Sequence, residues 1–237
     1  MAEVRQRLYE SYATTHAGVG GASAAPYVYR RDVRPHLPQG RGVRVLDIGC
    51  GQGELVRLLL ADGYDASGVD VSPEQVALAH AAGVDEVVLG DFLVVLGAHR
   101  ESFDAVVATD LLEHLTKDEV LRVFDATRAA LRPSGVFIAR TPNATSPFSG
   151  SIQYGDFTHE SVFTPRSVAQ IANATGYGKV EVRPCLPIVH GVLSRVRALV
   201  WKAVSGAMKL AIAAETGQRR HQVVTQNMTF VAFTCGE

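Results

Sequence analysis

Two hydrophobic periods alternate along most of the chain: short apolar runs of strand length, each followed by a stretch with helical spacing. That alternation predicts a mostly parallel sheet covered by helices on both faces. The first strand is "VRVLDI" (43–48), then a helix over "GELVRLLLADG" (53–63) closed by Gly63, and a second strand "ASGVD" (66–70). Ser72, Pro73 and Gln75 supply an N-cap, a first-turn proline and a capping-box partner for a helix that stops near Gly83. "EVVLG" (86–90) predicts the third strand, and the unbroken apolar run of "FDAVVAT" (103–109) a fourth, buried on both faces. Thr116 and Glu119 cap the next helix, which the pattern ends at "RPSG" before the fifth strand, "VFIAR" (136–140). Thr164 and Pro165 start another helix, and "KVEVRPC" (179–185) and "NMTFVAFTC" (227–235) read as strands six and seven, the last antiparallel.

Two stretches interrupt this order. Residues 141–163 have neither period, and residues 188–214 form a basic amphipathic helix. In sheets of this kind ligands bind outside the carboxyl ends of the strands, where the topology switches. Both stretches leave the sheet on that side, because each follows a strand parallel to the others.

Composition narrows the picture. With 237 residues, 47% hydrophobic and 20% charged, the chain has the apolar material for one sizeable core and a single domain. A net charge of -1, from 23 basic and 24 acidic residues, gives no overall footprint for nucleic acid, so no nucleic-acid partner is expected. Cys50, Cys185 and Cys235 lack metal-knuckle or disulfide-framework spacing and suit a reducing cytoplasm. "MAEVRQRLYE" is charged where a signal peptide needs an apolar run, so a cytoplasmic location is expected, and "GVGGASAA" (18–25) reads as a flexible joint.

The chemistry concentrates at successive strand ends. "LDIGCGQGEL" (46–55) is a G-x-G-x-G loop between a strand and a helix, where Gly49, Gly51 and Gly53 let a ligand approach the backbone. Asp47, two residues before Gly49, repels a pyrophosphate and attracts an ammonium or sulfonium group. Asp70, 23 residues after Asp47 at the end of strand two, is placed to accept from ribose hydroxyls. Asp91 and Phe92 offer a carboxylate and an aromatic face to an adenine. Each also has a structural reading: helix caps for Asp47 and Asp70, ordinary core for Phe92.

"VLDIGCGQGEL", "VDVSPEQV", "GDF", "FDAVVATDLLEHL" and "LRPSGVFIARTPN" together resemble the ordered motifs of class I S-adenosylmethionine-dependent methyltransferases, over residues 43–143. The resemblance implies an α/β, Rossmann-like, seven-stranded sheet with helical and loop insertions on the acceptor side. It implies S-adenosyl-L-methionine as cofactor, with the methionine part at Asp47, Gly49, Cys50, Gly51 and Gly53. The ribose falls to Asp70 and Val71, adenine to Asp91 and Phe92, and further contacts to Thr109, Asp110 and Leu111. Glu113 and His114 read either as helix-start groups that brace the cofactor loop or, for His114, as a catalytic candidate. Tyr27, Arg30 and Arg31 lie on a helix before the sheet, where Arg30 is a candidate for the methionine carboxylate or one member of a solvated basic face. The expected organisation is a single domain with an N-terminal cap region (1–42), a cofactor-binding core (43–140), an acceptor-site insertion (141–163) and a basic helical insertion (188–220).

Methyl transfer from a sulfonium is an in-line displacement that depends on holding the acceptor behind the methyl group. Neutral amines and phenolates need little more, whereas an aliphatic hydroxyl gains from a base within hydrogen-bond reach. "QYGDFTHE" (153–160) holds the candidates: His159 as base, Asp156 to orient it or to bind a substrate hydroxyl, and Tyr154, Glu160 and Asn143 as substrate-binding residues. Asp156, His159 and Glu160 are also ligand types for a divalent ion, to be completed by Asp110 or Asn143, but their crowding in one loop speaks against it and no metal is expected.

In the basic helix Arg195, Lys202 and Lys209 recur every seven residues and form one stripe. It reads as an interfacial helix at a membrane surface or as a packing or homodimer helix, and charges through its middle exclude a spanning one. "DFTHE", "FTPRS" and "TQNMTFVA" are similar to segments of methyltransferases that modify sugars of glycans or glycosylated natural products. The expected activity is therefore O-methylation of a hydroxyl on such a small-molecule or lipid-linked acceptor. The alternatives are a quinone-like or lipid phenol, a small-molecule amine, or a non-catalytic cofactor-binding scaffold, against which the intact glycine loop argues.

Overall fold

A computed structural model describes residues 24–40, 42–217 and 222–234. The charged N-terminal stretch, most of the 18–25 joint and Cys235 lie outside the described residues. Seven strands form one sheet: β1 Arg44–Ile48, β2 Asp65–Asp70, β3 Val87–Leu89, β4 Phe103–Thr109, β5 Leu131–Pro142, β6 Lys179–Pro184 and β7 Asn227–Phe233. Their order is β3-β2-β1-β4-β5-β7-β6, with β1 to β5 parallel and β7 antiparallel to both neighbours. The order reverses between β1 and β4, so the ligand crevice belongs at the carboxyl ends of those two strands.

The helices are α1 Ala25–Val28, which continues as a π-helical turn Tyr29–Val33, then α2 Glu54–Ala61, α3 Pro73–Ala81, α4 Phe92–Ala98 and α5 Lys117–Ala130. After β5 come α6 Gly150–Gln153, α7 Pro165–Ala174 and α8 Val192–Thr216. Alternate residues of the central strands enter two separate cores. Val45, Val107, Ile138 and Val231 face α2, α3 and the N-terminal turn; Leu46, Val106, Phe137 and Phe230 face α4, α5 and α7. In the second core Phe124 meets Phe137 edge-on at 5.3 Å and stacks on Phe230 at 5.7 Å, fixing α5 against β5 and β7.

Most predicted boundaries fall within a few residues, and the departures have local causes. Helix α4 has no counterpart in the sequence pattern, because Val94, Val95 and Gly97 have poor helix propensity. It forms because Asp91 caps it, accepting from the Leu93 amide at 2.7 Å, and because Phe92 and Leu96, one turn apart, bury the same stripe. Helix α5 stops at Ala130 rather than within "RPSG". Leu131 already pairs with Phe103, and the ladder resumes at Ala105 and Val136 after an irregularity in which Ser134 takes a φ of 65°. The box predicted at Ser72 and Gln75 is half made: the Ser72 hydroxyl accepts from the Gln75 amide, but the Ser72 amide is taken by Asp70 at 2.8 Å, so the Gln75 side chain turns elsewhere.

Candidate active site

The glycine loop is shaped from two sides. A Cβ at Gly49 would lie 2.9 Å from the Leu111 side chain, and one at Gly53 would lie 2.8 Å from Val87. These two glycines, both at positive φ, therefore serve packing between the loop and its neighbours. Gly51 differs, since a Cβ there would meet only the Gln75 Oε1 at 3.8 Å, which leaves this stretch of backbone open to a ligand. The Cys50 side chain packs on β2: its Sγ would be 2.7 Å from a Cβ at Gly68, it reaches the Gly51 carbonyl at 3.9 Å, and burial pushes its thiol well up.

Around this loop lie acceptors. The Asp70 carboxylate accepts from the Gly51 amide through Oδ2 at 2.8 Å and from the Ser72 amide through Oδ1 at 2.8 Å. It thus ties the loop to the end of β2 while keeping lone pairs on both oxygens. Asp47 is 1% exposed, and its Oδ1 has no hydrogen-bond partner; the buried Gln75 Oε1 is likewise without one. Burial, and secondarily the nearby Asp70, hold the Asp47 carboxyl well above the usual range. Orphaned buried acceptors are rare and call for a donor. An ammonium, a sulfonium and ribose hydroxyls are such donors or cations, so the residues present fit S-adenosylmethionine. Gln75 was not legible as part of this set, because its spacing reads as a capping box.

Other expected contacts are rearranged. Asp91 is an N-cap that keeps Oδ2 outside the cap bond, and Phe92 packs in the core with Leu96 and Leu112. Val71, 50% exposed, follows Asp70, and Thr109 ends β4. Asp110 takes a φ of 54° and pairs with Arg140 at the end of β5. Arg30 is exposed, and its charge acts on Asp62 at the carboxyl end of α2, the end away from the glycine loop. The π-helical turn buries Tyr29 and Asp32 and sends Arg30 outward, so it does not reach the methionine carboxylate. Arg31 instead pairs with Asp32 and donates to the Leu186 carbonyl.

Beyond β4 the chain makes a tight turn, Leu112–His114, that buries Glu113 and His114 at 2% and 6% exposure. The irregular segment after β5 is stapled onto it: the Glu160 and Ser161 amides donate to the Glu113 carbonyl at 2.8 and 3.0 Å, and the Ser161 hydroxyl to the Leu115 carbonyl. This brings the His159 ring to 4.7 Å from that of His114. Asp156 orients His114 rather than His159. Its Oδ1 accepts from both the amide and the hydroxyl of Thr158, and the Thr158 oxygen lies 2.7 Å from His114 Nδ1. A carboxylate only accepts, so the Thr158 proton goes to Asp156 and the Thr158 oxygen accepts from His114 Nδ1–H. His159 Nδ1 faces the Gln153 carbonyl at 3.1 Å, which also accepts only. Both rings therefore present Nε2 as the acceptor nitrogen. Glu113 takes the Thr141 hydroxyl at 3.2 Å, and burial first, then Asp110, push its carboxyl well above the usual range.

Asn143 is structural, not substrate-binding. It is fully buried, donates to the Val223 and Thr225 carbonyls at 2.9 Å each, and accepts from Thr145, which uses its whole amide to anchor the insertion to the segment before β7. Tyr154 is 82% exposed and the Glu160 side chain is exposed, both on the rim of the insertion. The metal set considered from sequence, Asp156, His159 and Glu160, is not assembled: Asp156 turns to Thr158 and Glu160 to the surface. Glu113, His114 and His159 form a different set, in which one ligand atom from each lies within 4.8 Å of the others.

The family model described as "Methyltransferase domain" matches residues 22–182. A ubiquinone biosynthesis O-methyltransferase of Xylella fastidiosa (strain 9a5c) is 30% identical over 109 residues, 44% of each chain. One from Xanthomonas campestris pv. campestris (strain B100) is 34% identical over 109 residues, 44% of this chain and 45% of its own. The chain thus spans less than half the length of the curated relatives it matches. Among solved structures, a SAM dependent methyltransferase from Archaeoglobus fulgidus superposes with a TM-score of 0.68 at 22% identity, over 94% of this chain and 99% of its own, and shares the fold.

Proposed function

The chain belongs to the methyltransferase-domain family, and from that premise we propose that it is an S-adenosylmethionine-dependent methyltransferase that methylates a hydroxyl of a sugar or other glycosylated small molecule. The carrying observation is the cluster at the end of β4, where Glu113, His114 and His159 meet one turn beyond the Leu111 side chain that packs on Gly49. Bound S-adenosylmethionine supplies a methyl group on a positively charged sulfur. Asp47, Gln75 and the Asp70 carboxylate would hold its ammonium and ribose, and Asp91 its adenine. An aliphatic hydroxyl is a weak nucleophile at neutral pH, so it needs groups that take or polarise its proton. Two imidazoles locked with Nε2 as acceptor, and a buried carboxylate beside them, are such groups, and His159, the more exposed ring, is the one that would meet the acceptor. A phenol or an amine would need less.

A second reading, a quinone-like or lipid phenol, is favoured by the names of the curated relatives and by the exposed surface of α8. At 100° per residue, Val192, Leu193, Val196, Leu199, Val200 and Leu210, all more than half exposed, fall in one sector of about 120°. Arg195, Lys202 and Lys209 flank it on one side and Arg197 on the other, while Ser194 and Trp201 turn inward. This apolar face between basic edges matches an anionic membrane surface, where the acceptor would be lipid-linked. No helix among the described residues is long and apolar enough to cross a membrane.

Purified protein with isotope-labelled S-adenosylmethionine and a panel of sugars, glycosylated natural products, phenols and amines decides the reading. Label on sugar-class hydroxyls is expected. Label confined to phenols moves the assignment to the second reading, and label confined to amines removes the hydroxyl reading altogether.

A further inference from the structure

We propose that Glu113, His114 and His159 bind a first-row divalent cation that the acceptor hydroxyl meets during methyl transfer. Two imidazoles and one carboxylate form a ligand set that suits such ions and leaves coordination positions open. The three ligand atoms lie within 4.8 Å of one another. A cation at about 2.1 Å from each brings them to about 3.0–3.4 Å apart, so side-chain adjustments of about an ångström close the set.

The surroundings are those of a metal site. Ligating histidines usually donate their other ring N–H to a carboxylate, a carbonyl or a hydrogen-bonded relay, which fixes the tautomer. Both rings do so here: His114 Nδ1–H through Thr158 to Asp156, and His159 Nδ1–H to the Gln153 carbonyl. The ligands come from two chain segments 45 residues apart, His114 and His159, and the Glu160 and Ser161 amides clamp those segments together at the Glu113 carbonyl. Glu113 is also a buried carboxylate: it accepts from the Thr141 hydroxyl, and the charge of Arg140, which pairs with Asp110, reaches it without offsetting its burial. A cation there offsets that burial.

The catalytic part of the proposal rests on the hydroxyl reading; the binding part does not. With the cation in place His159 is a ligand rather than the proton acceptor. The acceptor O–H loses its proton to solvent water at lower cost because of the adjacent charge. The oxygen pair forms the new O–CH3 bond as the methyl–sulfur bond breaks, and that bond's electrons stay on sulfur; nothing is oxidised or reduced.

Chelator-stripped protein titrated with Co2+ provides the test, since nitrogen ligation gives visible absorption bands. Bands saturating at one ion per chain are expected, with affinity reduced at least tenfold in His159→Ala and Glu113→Gln. Binding of S-adenosylhomocysteine reports the fold of each variant, and His159→Ala, on a partly buried side chain, stands alone if Glu113→Gln does not fold. Absent bands, or bands unaltered in a folded His159→Ala, overturn the site. Turnover should fall after chelation and return with Mn2+ or Zn2+. Full hydroxyl methylation by stripped enzyme refutes the metal's role and leaves the hydroxyl reading standing. One bound Co2+, lost in His159→Ala, with no hydroxyl methylated by the reloaded enzyme sinks the hydroxyl reading and upholds the site.

Discussion

Replacing Asp70 by asparagine separates the two duties of that carboxylate. Its oxygens accept from the Gly51 and Ser72 amides at 2.8 Å each. An asparagine side chain has one oxygen and one NH2, so in either orientation one of these backbone donors faces another donor. A hydrogen bond to a charged group contributes about 1.5–3 kcal/mol, so the loop loses one such anchor in the free protein. The ligand loses more, because the remaining lone pairs that would take the ribose hydroxyls belong to a neutral amide oxygen instead of a carboxylate. Together these reduce the affinity for S-adenosylhomocysteine by about 3 kcal/mol, roughly a hundredfold. Isothermal titration calorimetry reads this directly, with urea unfolding alongside to show that the variant is folded and less stable by about 1–3 kcal/mol. An affinity within threefold of the parent, in a folded variant, would mean that Asp70 holds the loop without touching the ligand, and the ribose assignment would be wrong.

Three further outcomes are expected. Binding of a cationic cofactor should release a proton from Asp47: its carboxyl is held protonated above the usual range, and an ammonium or sulfonium favours the ionised form. Affinity should therefore rise with pH, and calorimetric enthalpies should differ between buffers of different ionisation enthalpy at pH values above the usual carboxylate range; buffer-independent enthalpies there contradict this. The same raised value means that Asp47's contribution to folding stability is fully present below the usual carboxylate range and is lost as pH rises through its folded pKa. Gly68→Ala drives a Cβ to 2.7 Å from Cys50 Sγ and 2.8 Å from Val56, so it should cost about 1–3 kcal/mol in urea unfolding, and Cys50→Ala should restore only part, since the Val56 contact persists; an unchanged midpoint would show that the loop yields freely. Leu199→Glu and Val196→Glu should abolish flotation of the protein with anionic liposomes; a parent protein that never floats but sediments as a dimer assigns the α8 face to a second copy instead.

Much of the fold was legible because each strand end carries its own signal. The parallel core follows from period and length alone, and its glycine turn and capped helices are read from local residues. Helix α4 was missed because burial of Phe92 and Leu96 overrides poor propensity at Val94 and Val95, and burial is a property of the assembled sheet. For Arg30 the solvated-face reading is the one that fits: the π-helical turn buries Tyr29 and Asp32 and leaves Arg30 exposed, and "YRRDV" carries no period that announces such a turn.

The site divides along the same line. Asp47 and Asp70 could be found because their partners lie within a strand–loop–strand unit, where sequence separation fixes geometry. The chemistry at the acceptor end depends on two segments meeting across β4 and β5. "LLEHL" and "QYGDFTHE" each read as polar clusters with ordinary explanations, caps for one and turns for the other, and both explanations are partly correct: Asp156 does make a turn bond to Thr158. Their joint meaning arises only when the Glu160 and Ser161 amides find the Glu113 carbonyl, because that contact turns His159 toward His114 and makes the Asp156 turn a support for the other histidine. A local bond that sequence assigns to structure thus becomes, through one tertiary contact, the device that sets a ring's tautomer. Asn143 runs the opposite way, a polar residue at the ligand edge whose every amide position is consumed in anchoring. At this edge of the sheet residue type is a weak guide, and the hydrogen-bond partners decide which polar groups remain for a substrate.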